Sequence, residues 1–256
     1  MGILDGKVAI VTGGAGNLGR KTAEKFLQQG AKVSLVDMNE PELKNIQKEI
    51  NNDKVMIVKA DVTDEDDVVN YVNKTLDKFG QIDIFFNNAG IIGDVGPVDE
   101  QTLENFNKVL SINLTGIFLG VKHVLPVMKE QRNGSIINTS SVDGLRGSPN
   151  MAPYAISKHG VVGLTKTAAL ESAPHNVRVN SIHPAPVTGN MMKTVHEGMD
   201  ADNPEEVEEE ISKDIPLGHY ADSDNIGNLV LFLASDFSEY ITGSQYRVDG
   251  GMGATS

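Results

Sequence analysis

The chain has 256 residues, 22% charged and 39% hydrophobic, a soluble balance long enough for one large α/β domain with a buried core. A formal charge of −13 and a pI near 4.8 argue against nucleic acid as a partner, because a phosphate backbone would be repelled. Cysteine is absent, which excludes disulfides, thiolate metal sites and a cysteine nucleophile together and makes the reducing cytoplasm the expected location.

From the N-terminus, Met1 to Gly6 carries no basic segment followed by an apolar stretch of signal length. Short β-branched runs at Val8 to Val11, Val33 to Val36, Val55 to Val58, Ile82 to Phe86, Ser135 to Asn138 and Arg178 to Ile182 predict strands. They show little alternation, as expected for strands buried on both faces of a parallel sheet. Between them the stops and prolines predict helices over Leu18 to Gln29, Pro41 to Ile50, Asp64 to Phe79, Leu103 to Met128 as one helix or two, and Pro153 to Glu171. No membrane span is expected, since Ile117 to Met128 is interrupted by Lys122, His123 and Pro126. Thr194 to Asp214 is strongly acidic and reads as a solvated helix opened by Pro204, although a site for cationic partners is the competing reading; its place before the last helix also suits a mobile lid.

Chemistry enters after the first strand. Thr12-Gly13-Gly14-Ala15-Gly16-Asn17-Leu18-Gly19 leads into a helix, the context in which backbone N–H groups and a helix N-terminus can approach a pyrophosphate without Cβ interference. The second strand ends at Asp37, about twenty residues on, where a carboxylate can accept both hydroxyls of an adenosine ribose. Asp37 would repel a 2′-phosphate, and neither Gly16 nor Met38 supplies a cation for one, so NAD (NADH) is expected over NADP. The bland alternative for Asp37 is a solvated strand end.

On these residues and those that follow, the chain resembles the short-chain dehydrogenase/reductase family along nearly its whole length. The glycine turn is similar to the family's T-G-x-x-x-G-x-G, Asp61-Val62 to its acidic pair beside adenine, and Asn87-Asn88-Ala89-Gly90 to its N-N-A-G. Ser141, Tyr154 and Lys158 match its serine and Y-x-x-x-K spacing, and Asn113 its fourth catalytic residue. The implied fold is α/β, a single doubly wound Rossmann-type domain over residues 1–256 with a mostly parallel seven-stranded sheet, helices on both faces, and an acidic lid insertion at 188–215. The implied cofactor set is Gly13, Gly16, Asn17, Leu18, Gly19, Asp37, Met38, Asp61, Val62, Asn88, Ala89, Gly90, Tyr154, Lys158, Pro184, Val187 and Thr188. Three departures stand out: Asn17 in place of the middle glycine, where tolerance of left-handed backbone would preserve the turn; Ala185 in place of glycine after Pro184; and Gly189 where many members have threonine.

Helix spacing puts Tyr154 and Lys158 on one face, and an ammonium beside the phenol would lower a pKa that is otherwise near 10. The resemblance implies that Tyr154 exchanges the proton, Ser141 bonds the reacting oxygen and Asn113 holds a water leading to Lys158; the alternative for Asn113 is a polar helix residue bonding backbone. His159 falls on another face, the histidines have no metal-ligand spacing, and Ser141 lacks a nucleophile elbow, so neither a metal nor a serine hydrolase is expected.

Substrate choice falls to three loops, Ile91 to Gly96, Asp143 to Met151 and Pro186 to Ile215. Leu145, Met191 and Met192 suggest an adaptable apolar wall, and with Ser141, Asp143 and Tyr154 they favour a small cyclic or aliphatic ketone or alcohol. Gly144-Leu145-Arg146-Gly147 and Asn203-Pro204 look similar to the family's cyclic-alcohol dehydrogenases, with sugar, steroid and acyl-thioester substrates left open. A nucleotide-bound regulatory protein without turnover and a Rossmann methyltransferase are the readings from other classes. Thr242-Gly243 and Val248-Asp249-Gly250-Gly251 resemble the family's C-terminal assembly segment, which, with apolar residues around several faces of the long helices, implies a homotetramer.

Overall fold

A computed structural model describes residues 2–254; Met1, part of the signal-segment reading, lies outside the described residues. All seven strands run parallel in the order β3-β2-β1-β4-β5-β6-β7. They are β1 (Val8–Thr12), β2 (Lys32–Asp37), β3 (Val55–Lys59), β4 (Ile84–Asn87), β5 (Gly134–Thr139), β6 (Val177–Pro184) and β7 (Gln245–Val248). The helices are α1 (Asn17–Gln28), α2 (Glu40–Ile50), α3 (Glu65–Phe79), α4 (Leu103–Leu110), α5 (Gly116–Gln131), α6 (Ala152–Ser172), α7 (Asn190–Met199), α8 (Pro204–Lys213) and α9 (Ser223–Ala234).

The unbroken apolar runs follow from covering both faces. Ala9, Val11, Val33, Leu35, Ile84, Phe86, Ile137 and Ile182 join one core with Phe26, Leu43, Ile46, Ile226 and Val230 of α1, α2 and α9. Their strand neighbours Ile10, Val36, Phe85, Ile136 and Val179 point the other way, into a second core with Val68, Tyr71, Val124, Met128 and Ala168 of α3, α5 and α6. Alternate side chains of each strand are thus buried in different layers, so no polar face is left to show a period of two.

Several elements differ from the sequence expectation. β4 begins at Ile84 rather than Ile82, because the Gln131 side chain takes both backbone groups of Ile82, accepting from its N–H at 3.0 Å and donating to its carbonyl at 2.7 Å. Leu103 to Gln131 is one continuous helix in which Ser111–Thr115 forms a π turn joining α4 to α5, and the Gly116 N–H reaches the Ser111 carbonyl. By length and composition that helix is apolar enough to cross a membrane, contrary to the expectation that no stretch comes near; half of its most apolar window is buried, with Val109, Val124 and Met128 inside the cores. The acidic segment is two helices, α7 and α8, with Pro204 in the first turn of α8 and all five of its glutamates exposed, while Val207 faces inward. β7 had no strand-like run to announce it; Gln245–Val248 is recruited as an edge by pairing with β6.

Candidate active site

Because the strands are parallel, all their C-terminal ends reach one edge of the sheet, and the connections leaving them enclose a cavity of about 780 Å³. The residues expected to touch cofactor or substrate line it, from Gly13 through Thr188 to Met191 and Met192, with two exceptions. Leu145, expected in the apolar wall, is exposed outside the cavity, because its turn after Ser141 directs it to solvent. Asn113 lies fully buried behind the wall, in the π turn.

The turn after β1 is built for close approach. Gly13 has φ +65°, in the left-handed region, and a Cβ at Gly19 would collide with the Gly13 carbonyl. Thr12 locks this turn to the fourth strand: its hydroxyl accepts from the N–H groups of Asn88 and Ala89, and its carbonyl accepts from Asn88 Nδ2. Asp37 is not a solvated strand end; it is half-buried, and its two oxygens accept from Ala15 N at 3.1 Å and Asn39 N at 2.9 Å. Each oxygen can still accept a further hydrogen bond, and Asp37 lines the cavity. In the Asn87-Asn88 pair the strand alternation separates two jobs: Asn87 turns inward to the Ile117 carbonyl, and Asn88 turns to the glycine turn.

Asn17 departs from the expectation placed on it. It is the first residue of α1, with no need of left-handed backbone; the left-handed position of the turn is Gly13. Its Nδ2 bridges the Thr188 carbonyl at 3.3 Å and Ser223 Oγ at 2.9 Å, so the substituted side chain ties the glycine turn to the start of the segment carrying α7. Gly189 follows with φ +142°, a conformation a threonine would hold only under strain.

Tyr154 and Lys158 lie on one face of α6, both buried, with the ammonium 5.4 Å from the ring centre. Lys158 Nζ donates to the Thr139 carbonyl at 2.9 Å rather than to the phenol. The expected lowering of the tyrosine is reversed. Burial, and then the charge of Asp143, raise the Tyr154 phenol well above its ordinary value, and the Ser141 hydroxyl offsets this only in part. Burial moves Lys158 in the opposite direction, down to about 8. Asp143, buried beside them, is raised by burial and partly restored by Arg146, whose Nε lies 3.4 Å from its carboxylate. Ser141 Oγ accepts from Asp143 N at 3.1 Å, and His159 Nδ1 donates to the Ala155 carbonyl, away from the cavity.

Asn113 has the backbone-bonding role named as its alternative. Its Oδ1 accepts from Ile91 N at 2.8 Å, and its Nδ2 donates to Ile91 O at 2.7 Å and to Ser157 Oγ at 3.3 Å. It thereby fixes the loop after β4 against α6, and Gly90 leaves room for it: a Cβ there would stand 3.1 Å from Asn113 Oδ1. The apolar wall is larger than the sequence suggested. Ile91, Ile92, Met151, Val195 and Ile211 join Met191 and Met192, and their only signal had been that they fall within the three loops.

A family model described as enoyl-(acyl carrier protein) reductase matches residues 13–253. Levodione reductase of Leifsonia aquatica is 40% identical over 252 residues, 97% of this chain and 94% of that protein. The chain belongs to the short-chain dehydrogenase/reductase family. Trans-4-hydroxycyclohexanecarboxylate dehydrogenase of Sinomonas cyclohexanicum is 38% identical over 96% of this chain and 92% of its own length. Among solved structures, that of levodione reductase superposes with a TM-score of 0.96 at 39% identity, covering 99% of this chain and all of the other. The structure of NAD⁺-bound xylitol dehydrogenase gives 0.92 at 35% identity, covering 97% and 99%.

The buried lysine has a measurable consequence. Its amine titrates at about 8 when folded against 10.5 ordinarily, so over that interval the folded protein holds fewer protons than the unfolded chain and stability rises with pH. Paired urea titrations should show the wild type gaining stability relative to Lys158→Met as the pH is raised through that interval. A difference that stays flat or shrinks would contradict a desolvated amine.

Proposed function

We propose that the chain is an NAD(H)-dependent oxidoreductase interconverting a secondary alcohol and a ketone, with Tyr154 as the acid and base. The observation that carries this reading is the convergence of Ser141, Tyr154 and Lys158 on the same cavity as the glycine turn and Asp37. The turn fits a dinucleotide: Gly13 and Gly19 leave a cradle that side chains would fill, at the N-terminus of α1. Gly16, Asn17 and Leu18 border the pyrophosphate position, Asp37 and Met38 the ribose and adenine end with Asp61 and Val62, and Ala89, Gly90, Pro184, Val187 and Thr188 the nicotinamide end. The cofactor supplies or accepts the hydride.

In reduction the raised phenol of Tyr154 is the proton donor, since it stays protonated through neutral pH and can give its proton to the developing alkoxide. Ser141 holds the same oxygen through its hydroxyl, and Lys158 sets the charge beside the phenol. In oxidation Tyr154 takes the proton back, so that direction gains as pH rises. The wall of Ile91, Met151, Met191, Met192, Val195 and Ile211 favours an apolar ring or chain, in keeping with the cyclohexane ring in the name of one relative. Segment 188–215 is the lid closing over it. On composition alone the protein is placed in the cytoplasm. Assembly as a homotetramer is favoured by Phe118 on α5 and Ile156 and Leu170 on α6, which remain exposed in the single chain.

With a panel of cyclic and aliphatic ketones and NADH, Tyr154→Phe should lose about 10²- to 10⁴-fold in kcat while the Kd for NADH stays near wild type. Full activity in that variant would end the reading. The native enzyme should prefer NADH to NADPH, and Asp37→Ala should narrow the ratio of kcat/KM values by about tenfold or more as the repulsion of a 2′-phosphate is lost. Equal use of both by the native protein would remove Asp37 from the ribose. Light scattering should give about four times the 27.5 kDa chain mass, and a monomer across a dilution series would leave those helix faces without an interface.

A further inference from the structure

His183 is a fully buried histidine with no part in the steps above. It sits on β6 next to Pro184, where the sheet divides. β5 and β6 pair in register as far as Thr139 and Ile182, and the Ser140 N–H still reaches the Ile182 carbonyl at 2.9 Å. From His183 onward β6 pairs only with β7, while the chain from β5 turns away into Ser141. The backbone ladder therefore stops one residue short of the serine expected to touch the reacting oxygen.

The imidazole bridges that gap. His183 Nδ1 lies 2.7 Å from the Ser141 carbonyl, and its Nε2 lies 2.9 Å from Ser181 Oγ. A carbonyl oxygen can only accept, so Nδ1 carries the hydrogen, and Nε2 of the neutral ring accepts from the Ser181 hydroxyl. Protonation is disfavoured on balance: burial lowers His183 to about 4, the bond to Ser141 raises it only partly, and Lys158, Arg247 and His159 add positive charge nearby. The second lone pair of the Ser141 carbonyl accepts from Gly144 N at 3.0 Å, and Ser141 Oγ accepts from Asp143 N. Among these, His183 is the link from Ser141 to the central sheet; the others come from Ser141's own turn.

We propose that His183 is a positioning residue for Ser141: its Nδ1–H anchors the Ser141 carbonyl to the strand that carries Pro184, holding the hydroxyl in line with the reacting oxygen. The proposal rests on the role given to Ser141 above. Two substitutions separate the donor from mere polarity. The shorter amide introduced by His183→Asn would place its N–H near the position of Nδ1, whereas the longer amide of His183→Gln would place it near that of Nε2.

With NADH and the ketone panel, His183→Asn should keep kcat within about threefold of wild type, whereas His183→Gln should lose about 10- to 100-fold at an unchanged Kd for NADH, the scale of a misplaced group. In a Ser141→Ala background the second substitution His183→Gln should cost nothing more. Equal kcat for the two His183 variants, or a further loss in the Ser141→Ala background, would overturn the positioning role. Should both variants fail to fold, the imidazole ¹⁵N spectrum of the wild type decides: Nδ1 protonated and Nε2 bare through the neutral range supports the anchor, and the opposite tautomer refutes it. An active Ser141→Ala enzyme would refute the reading of Ser141 itself, a result distinguishable from loss of the anchor alone.

Discussion

The structure depends on one constraint: every strand of the sheet points the same way. Parallel pairing demands a crossover between successive strands and places each strand's last residue at a common edge. The glycine turn, Asp37, Asp61, Asn88 and Ser141 are far apart in the chain, yet each stands at or just beyond the end of a strand, and so they line one cavity. Nothing in the local conformation of any one of them requires the meeting. It is a property of seven strands laid in one sense.

Burial then sets the chemistry inside that cavity. An ammonium four residues from a phenol would, in water, ease the phenol's ionisation. Here both groups are removed from solvent, and desolvation disfavours the charged form of each, moving tyrosine up and lysine down. Asp143 adds to the first effect, since its carboxylate opposes a second negative charge. The result is a phenol that keeps its proton at neutral pH beside an ammonium held less firmly than in water.

Local signals were reliable wherever one residue's neighbours decided its role. The apolar runs located six strands, the glycines and prolines bounded most helices, and the ordered set from Thr12 to Lys158 pointed to the site. They failed where a partner distant in sequence intervened. Gln131 displaces the ladder at Ile82; the pairing of β6 converts Gln245–Val248 into a strand; and Asn17, which looked like a tolerated substitution in a turn, spends its amide on Thr188 and Ser223. His183 gave no signal beyond standing before Pro184, because its importance comes from where β5 leaves the sheet.

By itself, then, the sequence determined the fold class, the family, the glycine turn with its acidic strand end, and the spacing that puts Tyr154 and Lys158 on one helical face. Each of these is written in periodicity, turn chemistry or separation along the chain. Only the tertiary structure decided the direction of the Tyr154 shift, the commitment of Asn113 to the Ile91 backbone, the tether from Asn17 and the tautomer of His183. Those are set by how much solvent is excluded and by which atoms meet across roughly 20 to 200 residues of chain, the span that loop closure has to bridge, and no local pattern encodes either quantity.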